Sequence, residues 1–436
     1  MHHAPGCFTV VTFSAINAVL AMTISAHVDR LNGCRNCGDR AVAPFLELPN
    51  LPITGAFLRR PEEKEFQYPM TLFVCPSCGT VQSQHNISFS DYYDEYAYTL
   101  DTSAFANTFA KTLAEQVVER YALKPGSRVL EIGSGDGTQL GYFKALGMDV
   151  LGFEPSSVLS KVANDNGIQT IKALYSLETS QHIPRRDRRF QLVLLTHVLD
   201  HLPSQKEFLT SLMPILDPAD GLLLIEVHDF EQTFIHKEYC LFQHEHTVYP
   251  TAATLQRMFQ AFGLCVIDVG VLPEEVKRAH SLMVLATPLT SRYAAQKMAP
   301  LPLGPMGDRD KLQVFGKEVE RTIANVRQYI LSRREQGKSL AAFGAGGRGI
   351  MTLAAAARPG EIDYICDSSE AHRGLYTPAA HIEIVAPSMA DERPVSEVLV
   401  CSYGYIDEIR RQLSGHSSRG GRITSLLDVL DRGARA

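Results

Sequence analysis

The sequence predicts an α/β protein: a doubly wound parallel sheet, preceded by a small cysteine-rich unit and followed by a second α/β unit. Three observations lead there. An apolar run at 129–132 empties into alternate glycines, Gly133-Ser-Gly135-Asp-Gly137, the pattern of a buried strand turning sharply into a helix. Counting that run, seven strands are expected, the others at about 149–153, 169–173, 191–195, 222–227, 264–269 and 282–286, most of them alternating with helical stretches. After a linker rich in proline and glycine at 300–307, a strand, a glycine run and a helix follow one another again from 339.

At 436 residues the chain is too long for one core, since about 150 residues per domain is usual. Its net charge of -6, without basic clusters, argues against nucleic acid or an anionic membrane as partner and for a small molecule. Nine cysteines are too few and too unevenly spaced for a disulfide framework, so a reducing, cytoplasmic setting is expected. Residues 8–26 are apolar but lack a basic lead and a cleavage pattern, which makes them a poor signal or membrane segment. Met22 is an alternative start, and 1–28 is expected to be an extension without fixed structure.

The first unit, 29–95, contains Cys34-Arg-Asn-Cys37-Gly38 and Cys75-Pro-Ser-Cys78-Gly79. Each half sets two thiolates in one tight turn, and the glycine lets backbone N–H groups point at sulfur. Two halves make a four-sulfur tetrahedral site for structural Zn2+; a redox Cys-x-x-Cys is the rival reading. Cys7, Cys240, Cys265, Cys366 and Cys401 are scattered and read as buried apolar fillers. The tyrosine-rich stretch from Asp91, including Tyr96, reads as linker packing whose hydroxyls could also reach a neighbouring site. An amphipathic helix is expected over 105–121.

The expected second unit spans 96–300. Glu131-x-Gly133-x-Gly135-x-Gly137 departs from the dinucleotide pattern and carries an acid inside its strand. The next strand ends at Glu154-Pro155, where a carboxylate suits a ribose diol. These residues resemble the S-adenosylmethionine site of class I methyltransferases. Other strands end at Thr196-His197-Val-Leu-Asp200-His201 and Glu226-Val-His228-Asp229, where sheets of this kind bind ligands. Beyond them, Gln243-His244-Glu245-His246 puts three titratable groups in a row. A metal held by His244 and His246, and an ordinary solvated loop, are the alternatives there. The unit at 301–436 should hold a long helix at 311–334, then Gly344-Ala-Gly346-Gly-Arg348-Gly349 and Asp367 at the spacing of a ribose-binding acid.

Taken together, the order of parts resembles the nucleotide-sugar C-methyltransferases that act on deoxysugars of natural products. The markers are the two Cys-x-x-Cys pairs, Glu131-Ile-Gly-Ser-Gly, Gly152-Phe-Glu154-Pro155-Ser, His197-Val-Leu-Asp-His201, His244-Glu245-His246 and Leu375-Tyr376-Thr-Pro378. The resemblance implies cofactor contacts from Glu131, Gly133, Gly135, Gly137, Glu154, Pro155 and His197. It implies acceptor contacts from Gln243 and His244, and a thymidine diphosphate held by Gly344, Gly346, Arg348 and Gly349. His201 and Tyr96 match active-site positions of that family. The chain departs from it at Gln243, usually tyrosine, at Arg348, near which lysine is usual, and at Arg278-Ala-His-Ser281-Leu-Met283, usually His-Gly-Gly-Ser-Leu-Arg.

Methylating carbon needs a carbanion, which forms most easily beside a ketone. An imidazole with a pKa near about 6.5 is mostly neutral at pH 7 and can take that proton, so His246 is the expected general base, oriented by Glu245 or sharing it with a neighbouring histidine. The expected reaction is methyl transfer to carbon of a dTDP-4-keto-deoxysugar, by a monomer or homodimer. The alternatives are C- or O-methylation of a natural-product scaffold without a nucleotide, and a zinc-stabilised nucleotide sensor without catalysis.

Overall fold

The computed structural model describes residues 26–89, 104–184, 188–272, 281–370 and 372–430. Tyr96, Cys7, the segment 1–25 and the departure at 278–280 lie outside the described residues. Among the described residues no helix is long and apolar enough to cross a membrane. The first strand corrects an expectation: β1 (Ala26–Arg30) pairs antiparallel with β5 (His85–Phe89), so residues 26–28 belong to a strand and not to an extension without fixed structure. Its backbone groups find partners in β5, which the sequence pattern of a short edge strand does not announce.

The cysteine-bearing unit contributes β2 (Ala43–Pro52), β3 (Gln67–Val74) and β4 (Val81–Ser83), an antiparallel sheet. Helix α1 (Ala104–Arg120) then leads into the main sheet: β6 (Arg128–Ile132), α2 (Thr138–Ala145), β7 (Asp149–Phe153), α3 (Ser157–Asp165), β8 (Thr170–Ile171), β9 (Leu192–Thr196), α4 (Gln205–Leu212), β10 (Leu222–His228) and α5 (Phe230–His236). β11 (Val248–Tyr249), α6 (Ala252–Gln260), β12 (Leu264–Val271) and β13 (Ser281–Pro288) follow. The seven-stranded sheet runs β12-β13-β10-β9-β6-β7-β8, and only β13 is antiparallel to its neighbours. Strand order reverses at β6, so the crevice opens where its glycines emerge.

The C-terminal part has α7 (Arg309–Glu335), β14 (Leu340–Phe343), α8 (Gly347–Ala356), β15 (Ile365–Cys366), β16 (Ile384–Val385), β17 (Glu397–Val400) and β18 (Arg422–Ser425). Its sheet is parallel throughout, ordered β16-β15-β14-β17-β18, and reverses at β14. The first turn of α7 is capped by Asp308, whose side chain accepts from the N–H groups of Asp310 and Lys311.

These parts share structure. β11, which follows the 243–246 stretch, pairs with β4, completing the cysteine-unit sheet as β11-β4-β3-β2. One core joins Phe45, Leu48 and Met70 to Phe230, Phe242 and Tyr249 and to Leu312, Phe315 and Val319 of α7. Gly316 lets α7 approach β2, because a Cβ there would lie 2.2 Å from the Phe45 carbonyl oxygen. Phe315 is fully buried in this junction, and truncating it to alanine would cost about 3–5 kcal/mol.

Candidate active site

The two cysteine turns are built alike. The N–H of Gly38 donates to Cys34 O (2.9 Å) and that of Gly79 to Cys75 O (2.8 Å). Cys34 N–H donates to Asp39 O (2.8 Å) and Cys75 N–H to Thr80 O (3.0 Å). Both glycines take positive φ, +80° and +76°, which a side chain would oppose. The result brings Cys34, Cys37, Cys75 and Cys78 together with all sulfurs within 4.8 Å of one another. Cys34 lies 3.6 Å from Cys78 and Cys37 3.5 Å from Cys75, both between Sγ atoms, which suits a closed tetrahedral Zn2+ site.

In the main sheet, Gly133, Gly135 and Gly137 all have positive φ, at 74°, 54° and 80°. Gly133 packs so tightly on the 197–201 turn that a Cβ would meet Val198 at 2.5 Å, whereas a Cβ on Gly135 would enter open space. The Glu154 carboxylate clamps the loop, accepting from Gly135 N–H and Ser156 N–H, each at 2.8 Å. Burial raises its pKa and these two bonds offset part of the rise. Glu131 beneath is buried, with Oε2 lacking a hydrogen-bond partner, and burial, then Asp136 and Glu154, push its pKa well up. Three carboxyls around an open glycine, with Ser134 Oγ also unpartnered, fit a cationic cofactor with a diol such as S-adenosylmethionine. Pro155 follows the clamp directly and begins the turn into α3.

Next to this loop stands a cluster of histidines. His197 has a positive φ of 53°, and its Nε2 lies 3.3 Å from Glu226 Oε1 and 3.4 Å from Ser281 Oγ. The rings of His201 and His246 meet edge to face with centroids 4.9 Å apart. His228 and His246 both approach Asp200, whose Oδ2 is 3.5 Å from His228 Nδ1 and 3.9 Å from His246 Nε2. His246 Nδ1 is 2.9 Å from the Leu241 carbonyl oxygen, so that nitrogen carries the proton and Nε2 keeps its lone pair. Burial lowers His201 and His228 to about 4, leaving both neutral at pH 7. Burial alone would raise the Asp200 carboxyl, but the His228 bond and the neighbouring imidazoles hold it well below the usual carboxylate range. Asp200 and His228 hold no assigned role in the sequence reading; the signal available was their place at strand ends. The sets His197, Asp200, His228 and Asp200, His201, His246 also have ligand atoms within 4.8 Å of one another, the donor chemistry of a divalent cation site.

The 243–246 stretch is a buried turn, which removes the solvated-loop reading. His244 points away from His246: its Nδ1 meets His85 Nε2 at 3.0 Å and its Nε2 faces Leu51 O and Tyr68 O. A metal shared by His244 and His246 is therefore not what the fold builds. Glu245 Oε1 accepts from Thr54 N–H (2.9 Å) and from Thr54 Oγ1, so a residue of the cysteine unit holds it in place. Its charge also reaches His201.

Gln243 lies against the second glycine loop, where a Cβ on Gly347 would come within 3.0 Å of its Nε2. In that loop Gly344 (φ 101°) and Gly349 are packing glycines; added Cβ atoms would strike Ser402 Oγ at 2.1 Å and Gly344 O at 1.8 Å. Gly346 faces open space. Asp367 clamps the loop, accepting from Ala345 N–H (2.7 Å) and Ser369 N–H (2.8 Å). Arg348 is committed elsewhere, 3.4 Å from Glu238 Oε2 and stacked over Tyr403 at 4.8 Å. The pair ties α8 to the segment that leads into the 243–246 turn.

Family models match three stretches: a zinc binding domain at 34–93, a methyltransferase domain at 106–269 and a C-methyltransferase C-terminal domain at 305–427. The chain is similar to the C-methyltransferase NovU of Streptomyces niveus, 26% identical over 401 residues, covering 90% of this chain and 94% of that protein. The chain is an S-adenosylmethionine-dependent C-methyltransferase. The C-methyltransferase is also similar, over 33% of its length, to a ubiquinone biosynthesis O-methyltransferase of Rhodopseudomonas palustris, at 26% identity and 60% of that protein. Among solved structures, it is similar to the magnesium protoporphyrin IX methyltransferase of Synechocystis PCC 6803 with bound SAM, at 14% identity and TM-score 0.33, over 46% of this chain and 88% of that one. For the PH0226 protein of Pyrococcus horikoshii OT3 the identity is 14%, the TM-score 0.37 and the coverage 46% and 100%.

Proposed function

We propose that this C-methyltransferase methylates a carbon beside the ketone of a nucleotide-linked 4-keto sugar, a thymidine diphosphate deoxysugar being the first substrate to try. The observation that carries the reading is the bond from His246 Nδ1 to the Leu241 carbonyl (2.9 Å), which makes Nε2, 3.9 Å from Asp200 Oδ2, the nitrogen able to take a proton. When bound, S-adenosylmethionine supplies an electrophilic methyl on a sulfonium. The carbon acid gives its proton to His246 Nε2, and the electron pair left on carbon would form the new C–C bond to the methyl as the methyl–sulfur bond breaks, with S-adenosylhomocysteine as the leaving group. Asp200, ionised and 3.9 Å away, stabilises the imidazolium that results. His201, neutral and edge to face with His246, is the residue assigned to the ketone oxygen as negative charge builds there. Gln243 donates from Nε2 to Cys240 O (3.1 Å), which leaves its carbonyl to accept from a sugar hydroxyl. Thymidine diphosphate lies along the 344–349 loop, close enough through Gln243 for the sugar to reach His246.

This reading divides the labour among 29–95, which walls the site, 96–300, which holds cofactor and proton acceptor, and 301–436, which holds the nucleotide. The similarity to NovU over nearly the whole of both chains supports the three-part plan. The test is incubation of zinc-loaded enzyme with labelled cofactor and a panel of thymidine diphosphate 4-keto sugars. A methylated sugar is expected, with His246→Gln lowering kcat at least about 10²-fold and Asp200→Asn lowering it less. If every nucleotide sugar fails and thymidine diphosphate does not bind, the acceptor is instead a scaffold without a nucleotide.

A further inference from the structure

Arg35 stands between two zinc ligands, yet its guanidinium turns away from the knuckle and is buried to 7% exposure. Nη1 donates to the Pro203 carbonyl (3.0 Å) and to Asn86 Oδ1; Nη2 donates to the His85 carbonyl (2.6 Å), Ser83 Oγ (3.0 Å) and the Ser83 carbonyl (3.2 Å). Its own N–H donates to Gln82 Oε1 at 2.9 Å. Every one of these acceptors is neutral. A buried cation without a carboxylate partner is costly unless a negative charge lies near. Four thiolates around one Zn2+ leave a net charge of -2, and Cys34 adjoins Arg35 in the chain.

The acceptors matter for where they lead. Pro203 lies two residues after His201. His85 meets His244 at 3.0 Å, two residues before His246, and because His244 Nε2 faces two carbonyl oxygens, His85 Nε2 is the donor of that pair. Ser83 N–H donates to Thr247 O (3.0 Å), and Thr247 N–H donates to Asp200 O (2.7 Å). One guanidinium thus ties the knuckle to both segments that carry the acceptor-site histidines.

We propose that Arg35 is a positioning residue that transmits zinc occupancy of the knuckle to His201 and His246, so that the metal sets the geometry of proton transfer as well as the local fold. The proposal rests on the reading of those two histidines given above. It is tested in the full-length, zinc-loaded enzyme with Arg35→Lys, which keeps the charge but cannot fork to Pro203 and His85 together. The variant should retain one zinc per chain and bind S-adenosylhomocysteine within twofold of wild type. Its kcat should fall at least tenfold at unchanged KM for the cofactor. In carbon-13 spectra of labelled histidines, His201 and His244 should shift while His416, which meets the Arg422 carbonyl in the C-terminal unit, stays, and chelating the zinc from wild type should move the same signals.

Unshifted histidines with wild-type kcat would overturn the proposal, and so would loss of zinc and cofactor binding together, which marks a purely structural role. Should Arg35→Lys not fold, Asn86→Ala, which removes one acceptor at a half-buried position, must still shift His244; a silent Asn86→Ala overturns the proposal. If His246→Gln and His201→Gln keep full methyl transfer, the reading of those histidines fails, whatever Arg35→Lys does.

Discussion

The two glycine loops of this chain share one plan and differ in charge. In each, a strand at a sheet's reversal point runs into glycines, and the acid ending the next strand clamps the loop through two backbone N–H groups, Glu154 on Gly135 and Ser156, Asp367 on Ala345 and Ser369. In each, one glycine faces open space, Gly135 or Gly346, while others are packed against the protein. The first loop gathers Glu131, Asp136 and Glu154, and the second has Asp367 and an arginine already paired with Glu238. A shared backbone device therefore says that something binds, and the side chains around it say what charge that something has. Three carboxyls suit a sulfonium, and in the proposed function the less acidic loop takes the anionic diphosphate.

The most forceful way to break this comparison is a matched pair of substitutions at the open glycines. Gly135→Val should abolish measurable S-adenosylhomocysteine binding in calorimetry, because the new side chain fills the cofactor's space, and cost about 1–2 kcal/mol of stability for the left-handed backbone. Gly346→Val, at a φ of -80°, should fold unimpaired, keep that binding and lose thymidine diphosphate. If both variants bind the cofactor alike, the loops are not specialised. A smaller effect is expected at the clamps. Charge-assisted hydrogen bonds are worth about 1.5–3 kcal/mol, so Glu154→Gln should weaken S-adenosylhomocysteine roughly tenfold or more, and Asp367→Asn should leave its Kd unchanged.

The smallest effect separates the loops from the histidines between them. His201 and His228, pressed by burial to about 4, stay neutral in the fold over a range where an unfolded imidazole, with a pKa of about 6.5, takes a proton. The unfolded chain then binds more protons, so stability is complete above about pH 6.5 and declines as pH falls toward 4. Urea midpoints across that window should show the decline, and His228→Gln should flatten it. Metal analysis sharpens the same point: one zinc per chain is expected from the cysteines, and a second equivalent that disappears in Asp200→Asn would make the histidine cluster a cation site.

Much of this was legible in the residues. Strands β6, β7, β9 and β10 fall on apolar runs, because buried parallel strands must be apolar on both faces, and the antiparallel pair β12 and β13 falls on apolar runs as well. Both glycine loops and the four cysteines were visible because backbone geometry and metal chemistry demand particular residues at fixed spacing. What escaped was long-range. A two-residue strand such as Val248–Tyr249 has no pattern of its own and exists only because β4 offers it a partner. Asp200 looks like any polar residue in its turn until the fold sets His228 and His246 against it, and the glycine run gives no sign that Arg348 pairs with Glu238, more than a hundred residues earlier.

The apolar junction around Phe45, Phe242 and Phe315 draws on three distant stretches of sequence. Its consequence is for engineering: the parts are not interchangeable cassettes. A chimera spliced in the linker at 300–307 would bring a foreign long helix against native β2, and a chain begun after residue 89 would bare Phe230 and Tyr249 to water. Exchange between relatives should succeed only when the knuckles, the 230–249 segment and the start of the long helix travel as one block.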